Sequence, residues 1–125
     1  MEKSYLKFDS IDAYNTAFNL SNYIWDVVIK WDNFAKSTVG RQLVTSADSI
    51  SANVAEGFGR YHKKDKIRFY RYSNGSLLES MDWINKSKHR GLITPEEFDF
   101  IRSSQDKLPF ELNRLIKYTN LKLKY

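Results

Sequence analysis

Residues 46–72 read SADSISANVAEGFGRYHKKDKIRFYRY. The first half, up to Phe58, is rich in Ser and Ala and carries Ala47, Ile50 and Val54 at helical spacing, so it is expected to form a helix that neighbours can approach closely. Gly57 and Gly59 are the expected helix-ending residues of positive φ. A basic, aromatic run from Lys63 then opens another helix. Two helices joined by so short a connection fold back on each other, and that pairing is the seed of a bundle. Between Arg60 and Arg71 it holds six cations (Arg60, Lys63, Lys64, Lys66, Arg68 and Arg71) against one acid, Asp65. That local balance of +5 equals the formal net charge of the whole 125-residue chain. Positive charge is therefore concentrated in one place, which points to an anionic partner, with nucleic acid the commonest.

The length suits one domain over residues 1–125, with 1–9 as an N-terminal extension and 120–125 as a frayed tail. Three Trp, eight Tyr and eight Phe with few Gly and Pro exclude a low-complexity chain. There is no cysteine, hence no disulfide framework or thiolate metal site. The first residues, MEKSYLKFD, lack the apolar run of a signal peptide. No window approaches the ~20 apolar residues that cross a bilayer. The expectation is a cytoplasmic protein with no membrane contact.

Helical periodicity runs nearly throughout. The first helix is expected to start at or just after Ser10, with Ile11, Tyr14, Phe18, Ser21, Trp25 and Val28 as one stripe and Ala17, Leu20, Ile24, Val27 and Trp31 as a second; WDNFAKST should end it. The second helix is placed at about Val39 to Phe58, with Val39, Leu43, Ser46 or Ala47, Ile50 and Val54 inward. The third spans Lys63 to Arg90, capped by Gly91, with Ile67, Tyr70, Asn74, Leu77, Met81 and Ile84 as its core seam. The fourth opens at Thr94-Pro95-Glu96-Glu97, a capping box with Pro at its first position, and Pro109 should kink it. The expected fold is all-α: an antiparallel up-down-up-down four-helix bundle.

A second stripe on the third helix, Phe69, Ser73, Ser76, Ser80, Trp83 and Ser87, reads as a surface on which another helix settles. Together with the wide apolar face of the first helix it suggests self-association, so Phe69, Ser73, Ser76, Ser80 and Trp83 are candidate interface residues. The bland alternative is that both stripes are used within one subunit.

Gln42-Leu43, Ser49-Ile50, Asn53-Val54-Ala55-Glu56-Gly57, Gly59-Arg60, Phe69, Gly75-Ser76-Leu77 and Glu79 together resemble the bacterial four-helix-bundle proteins encoded in intervening sequences of 23S rRNA genes. That family is similar in fold to the accessory protein of diversity-generating retroelements, a ring of five subunits. The resemblance implies the bundle, a homopentamer and an RNA-related setting. This chain departs from the pattern at Val44-Thr45, where members often carry two arginines, and at Ser51, where many carry proline. The first departure weakens phosphate contact by the second helix; the second should leave that helix straighter.

Lys64, Arg68 and Arg71, at i, i+4 and i+7, fall on one helix face, and Arg60, Lys63 and Lys66 cluster beside them. Convergent charge of this kind suits phosphate, and Tyr61 and Tyr72 could stack on unpaired bases. The alternative is a face that pairs with neighbouring acids. Asn53 and Glu56 share a face and read as a buried structural pair tying the second helix to the third, sooner than as an acid-base site. His62 and His89 lie near opposite ends of the third helix, too far apart for one metal. No cofactor and no enzymatic activity are expected. The expected function is non-catalytic binding of RNA or a nucleoprotein complex by an oligomer. The alternative is a protein-protein scaffold that never touches nucleic acid.

Overall fold

A computed structural model describes residues 6–125. After a short 3-10 turn at Phe8–Ser10 come α1 (Asp12–Val28), a single turn α2 (Asn33–Ala35), a π-helical turn Lys36–Gly40, α3 (Arg41–Phe58), α4 (Lys63–His89) and α5 (Pro95–Lys122). The four long helices are those expected, and no strand occurs among the described residues. Named contacts fix their direction. Asp12 near the start of α1 pairs with Arg114 late in α5, while Tyr23 further along α1 stacks on Phe100 near the start of α5, ring centroids 4.1 Å apart. Ser73 Oγ on α4 donates to the Ile50 carbonyl on α3 at 2.8 Å, and Gln105 Nε2 on α5 donates to Ser80 Oγ on α4 at 3.2 Å. Gly57 further along α3 lies against Tyr70 earlier on α4, and Arg102 earlier on α5 donates to Asn85 later on α4. Gly40, just before α3, lies by Val28 at the end of α1, while Phe58 at the end of α3 meets Phe8 just before α1. Each helix is thus antiparallel to its neighbours, in the cyclic order α1, α3, α4, α5.

The core is Leu20, Ile24, Leu43, Ile50, Val54, Leu77, Ile84, Ile101, Leu108 and Leu112, all essentially inaccessible, with Tyr70 among them. Burying each such aliphatic side chain contributes about 1.5–3 kcal/mol. On α4 the buried stripe is Tyr70, Ser73, Leu77, Ser80, Ile84 and Ser87. Of the expected seam it keeps Tyr70, Leu77 and Ile84, while Asn74 lies half-buried at its edge. The serine stripe, read from the sequence as an outward face, is therefore mostly inside the subunit. The reason is spatial: α3 presents Ser46, Ala47, Gly57 and other small residues, and small side chains on both helices let the backbones come close. The buried hydroxyls are satisfied, since Ser80 and Ser87 donate to carbonyls of their own helix at 2.7 Å.

Several local signals act as read. Thr94 Oγ1 accepts from the Glu97 N–H at 3.1 Å and Glu97 Oε1 accepts from the Thr94 N–H at 2.9 Å, closing the capping box. Gly91, at φ 72°, ends α4, with its N–H on the Lys88 carbonyl and that of Leu92 on the Ser87 carbonyl. Helix α5 runs on through Pro109.

Others do not. The WDNFAKST segment opens a helix instead of only closing one, because the Asp32 side chain accepts from the Ala35 N–H at 3.0 Å and caps α2. Gly57 and Gly59 do not have positive φ; among the described residues Gly91 alone does. Gly57 serves close approach instead: a Cβ there would lie 2.7 Å from Tyr70 Cε1 and 2.9 Å from the Lys66 carbonyl oxygen. On α1, Phe18 and Trp25 of the first expected stripe stay about half exposed, while Ser21 and Val28 are buried. The extension expected over 1–9 is only partly that. Residues 1–5 fall outside the described residues, but Leu6 and Phe8 pack on the core. At the other end α5 holds to Lys122, and the Tyr125 carbonyl accepts from the Lys63 N–H at the start of α4.

Candidate nucleic-acid interface

The cations of the central stretch gather where α3 hands over to α4, and each has its own environment. Lys66 is partly buried; its Nζ donates to the Phe58 carbonyl at 2.6 Å, and desolvation pulls its pKa below the ordinary lysine range. It caps the C-terminal end of α3, where unpaired carbonyls and the helix dipole favour a cation. Lys63 does the same for α5, reaching the Asn120 and Leu123 carbonyls at 3.4 and 3.3 Å. Arg60 pairs with Glu56 at 3.0 Å and Arg68 with Asp65 at 3.2 Å, all four side chains being 39–54% exposed. Pairs this open are worth about 0–1 kcal/mol and leave the guanidinium available to a stronger anion. Lys64 and Arg71 are exposed and make no ion pair among the described residues.

The six cations are therefore brought to one end of the bundle but not to one use. Lys63 and Lys66 are committed to helix ends. Lys64, Arg68 and Arg71 line an exposed face of α4, flanked by Arg60. Phe69, expected at a subunit interface, is instead the ring over which two of these cations, Arg60 and Arg68, lie. Arg60 Cζ lies 4.6 Å and Arg68 Cζ 5.7 Å from its ring centroid, and Tyr72 meets it edge-on at 5.4 Å and 82°. Tyr61 and His62 form a second edge-on pair at 5.0 Å in the connection. Both carboxylate partners are legible in the spacing, Glu56 and Arg60 at i, i+4 and Asp65 and Arg68 at i, i+3.

Asn53 and Glu56 do not form the expected buried pair. Asn53 Nδ2 donates back to the Ser49 carbonyl at 2.8 Å, and Glu56 points outward to Arg60. Asn53 is half-buried and Glu56 exposed, so the carboxylate stays in water. Of the five candidate interface residues, Ser73 and Ser80 are 0% exposed and cannot meet a second subunit, while Phe69, Ser76 and Trp83 are half-buried. Trp83 donates from Nε1 to Glu79 at 3.3 Å, carries Lys86 over its ring, and helps line a groove of about 820 Å³ toward the far end of α4. The π-helical turn walls that groove, and Phe34 stands 78% exposed at its lip. The described residues contain no group of three or more His, Cys, Asp or Glu that could hold a metal ion, and no helix is long and apolar enough to cross a membrane.

The bundle and its single basic end define a class: small antiparallel four-helix-bundle proteins with a localised cationic surface. Within that class, residues 9–114 match the family described as 23S rRNA-intervening sequence protein, and the chain belongs to it. A crystal structure of a protein of unknown function from the S23 ribosomal protein family of Bacteroides thetaiotaomicron is similar in fold, with a TM-score of 0.74 at 18% identity over 84% of this chain and 98% of that one. A search of curated proteins gives no match.

Proposed function

We propose that the chain is a cytoplasmic, non-catalytic, homo-oligomeric bundle, pentameric as its family resemblance implies, that binds RNA or a nucleoprotein complex through the α3/α4 end. The observation that carries this reading is the open face Lys64, Arg68, Arg71, in which Lys64 and Arg71 have no ion-pair partner among the described residues. Cations left free on a stable helix are suited to phosphate, and repetition around an oligomer would multiply a weak site. The family's name supports an RNA-related role. The half-exposed Phe18 and Trp25 on α1, with Phe34 and Trp83 at the groove, support self-association.

The test is fluorescence anisotropy with a labelled RNA across a salt series. Affinity should fall steeply with salt, and Lys64→Gln with Arg71→Gln should flatten the log-log slope by about 1.4 for a single strand. No binding at low salt, or an unchanged slope, overturns the reading. Light scattering tests the assembly, and a monomer at all concentrations refutes it. The scaffold alternative is favoured by one observation: Arg60 and Arg68 already hold carboxylates, as they would hold an acidic protein partner. Co-purification that survives nuclease treatment would support that alternative.

A further inference from the structure

Resting on the RNA-binding reading above, we infer that the α3/α4 end takes an unpaired strand and not a duplex. Phosphate attraction alone would not favour the single strand, because a duplex carries the denser backbone charge. The arrangement around Phe69 does favour it. Two guanidiniums lie against this half-buried ring, Arg60 at 4.6 Å and Arg68 at 5.7 Å. Each also meets a carboxylate, Arg60 that of Glu56 at 3.0 Å and Arg68 that of Asp65 at 3.2 Å, contacts too open to hold the groups rigidly but enough to bias their planes toward the ring. Tyr72, 51% exposed, stands edge-on to the same ring, and Tyr61, 78% exposed, lies in the α3/α4 connection edge-on to His62. Large aromatics this open do nothing for the core.

Planar cations and exposed aromatic faces bind the faces of bases, and every base has one, so such a platform tolerates sequence. In a duplex each base face is already covered by its stacked neighbours, and the platform finds nothing to meet. Lys64 and Arg71, exposed on the α4 face they share with Arg68, supply charge for the phosphates of the same strand.

The experiment compares three labelled RNAs of about 12 nucleotides, a length in the range one such module covers. They are a single strand without self-complementarity, the same strand annealed to its complement, and the same strand with abasic residues at its centre. The single strand should bind about tenfold more tightly than the other two. Arg60→Lys with Arg68→Lys, which keeps the charge and removes the planes, should erase that difference and leave duplex binding unchanged. Both arginines are exposed, and circular dichroism confirms that the variant is folded. Equal, salt-sensitive binding of all three RNAs overturns this inference while the RNA-binding reading stands. Tighter binding of the duplex does the same. Binding of none overturns both.

Discussion

Replacing Gly57 by alanine should destabilise the bundle, although alanine is the better helix former. Gly57 lies one residue before the end of α3, where that helix crosses α4. An added Cβ would sit 2.7 Å from Tyr70 Cε1 and 2.9 Å from the Lys66 carbonyl oxygen. Neither neighbour can step aside. Tyr70 is 1% exposed, and the carbonyl belongs to the first turns of α4. Overpacking of this kind costs about 1–3 kcal/mol, and contact with backbone and a rigid ring puts Gly57 in the upper half. Alanine's gain over glycine is about 1 kcal/mol in a helix interior and smaller near an end. The net expectation is a loss of about 2 kcal/mol, which lowers Tm by roughly 6–10 °C for a chain of this size. Gly75 is the control: it lies mid-helix on α4 with nothing within 4 Å of a built Cβ, so Gly75→Ala should gain about 0.5–1 kcal/mol. Thermal and urea unfolding followed by circular dichroism, at matched protein concentration, measure both. A Gly57→Ala protein that melts at or above the parent temperature would refute the close approach of α3 and α4 at that point.

Other expectations follow from the same contacts. Burial pushes the Tyr70 phenol up to about 12, partly offset by a side-chain hydrogen bond to Thr119. The unfolded chain, with an ordinary value near 10, loses this proton first, so the contribution to stability is whole below about pH 10 and is lost between about pH 10 and 12. Tyr70→Phe should flatten the stability-pH curve in that window, and an unaltered curve argues against the assignment. Thr94→Ala removes the side chain that accepts from the Glu97 N–H and should cost about 1 kcal/mol in urea unfolding. Gln105 is fully buried with its Oε1 lacking a partner, while its Nε2 donates to Ser80. Gln105→Met, of similar volume, should be neutral or gain up to about 1 kcal/mol, and a loss beyond about 2 kcal/mol would show that the amide is better satisfied than the contacts indicate.

Much of the bundle was legible because its signals are local. Thr94, Pro95 and Glu97 cap α5 through atoms within one turn, and Gly91 ends α4 through its own φ. Asp32 is equally local as a cap, its side chain accepting from the N–H of Ala35 three residues on. The orientation of α4 was not legible. Tyr70, Leu77 and Ile84 belong to the expected seam and to the observed one, and whether Ser73 and Ser80 or Asn74 and Met81 complete it depends on the helix opposite. Small side chains have no strong preference of their own for water or core. Only the approach of α3, with Gly57 and Ala47 at its contact face, turned the serines inward.

The basic end divides the same way. Composition and spacing alone determined that the excess positive charge lies between Arg60 and Arg71, and that Lys64, Arg68 and Arg71 share a face. Tertiary structure decided which of those charges are free. The carbonyls that occupy Lys63 and Lys66 stand at the ends of α5 and α3, and the first of these is more than fifty residues away in the chain. Helix periodicity is written into the order of residues, whereas a cation's partner depends on where distant helix ends come to rest.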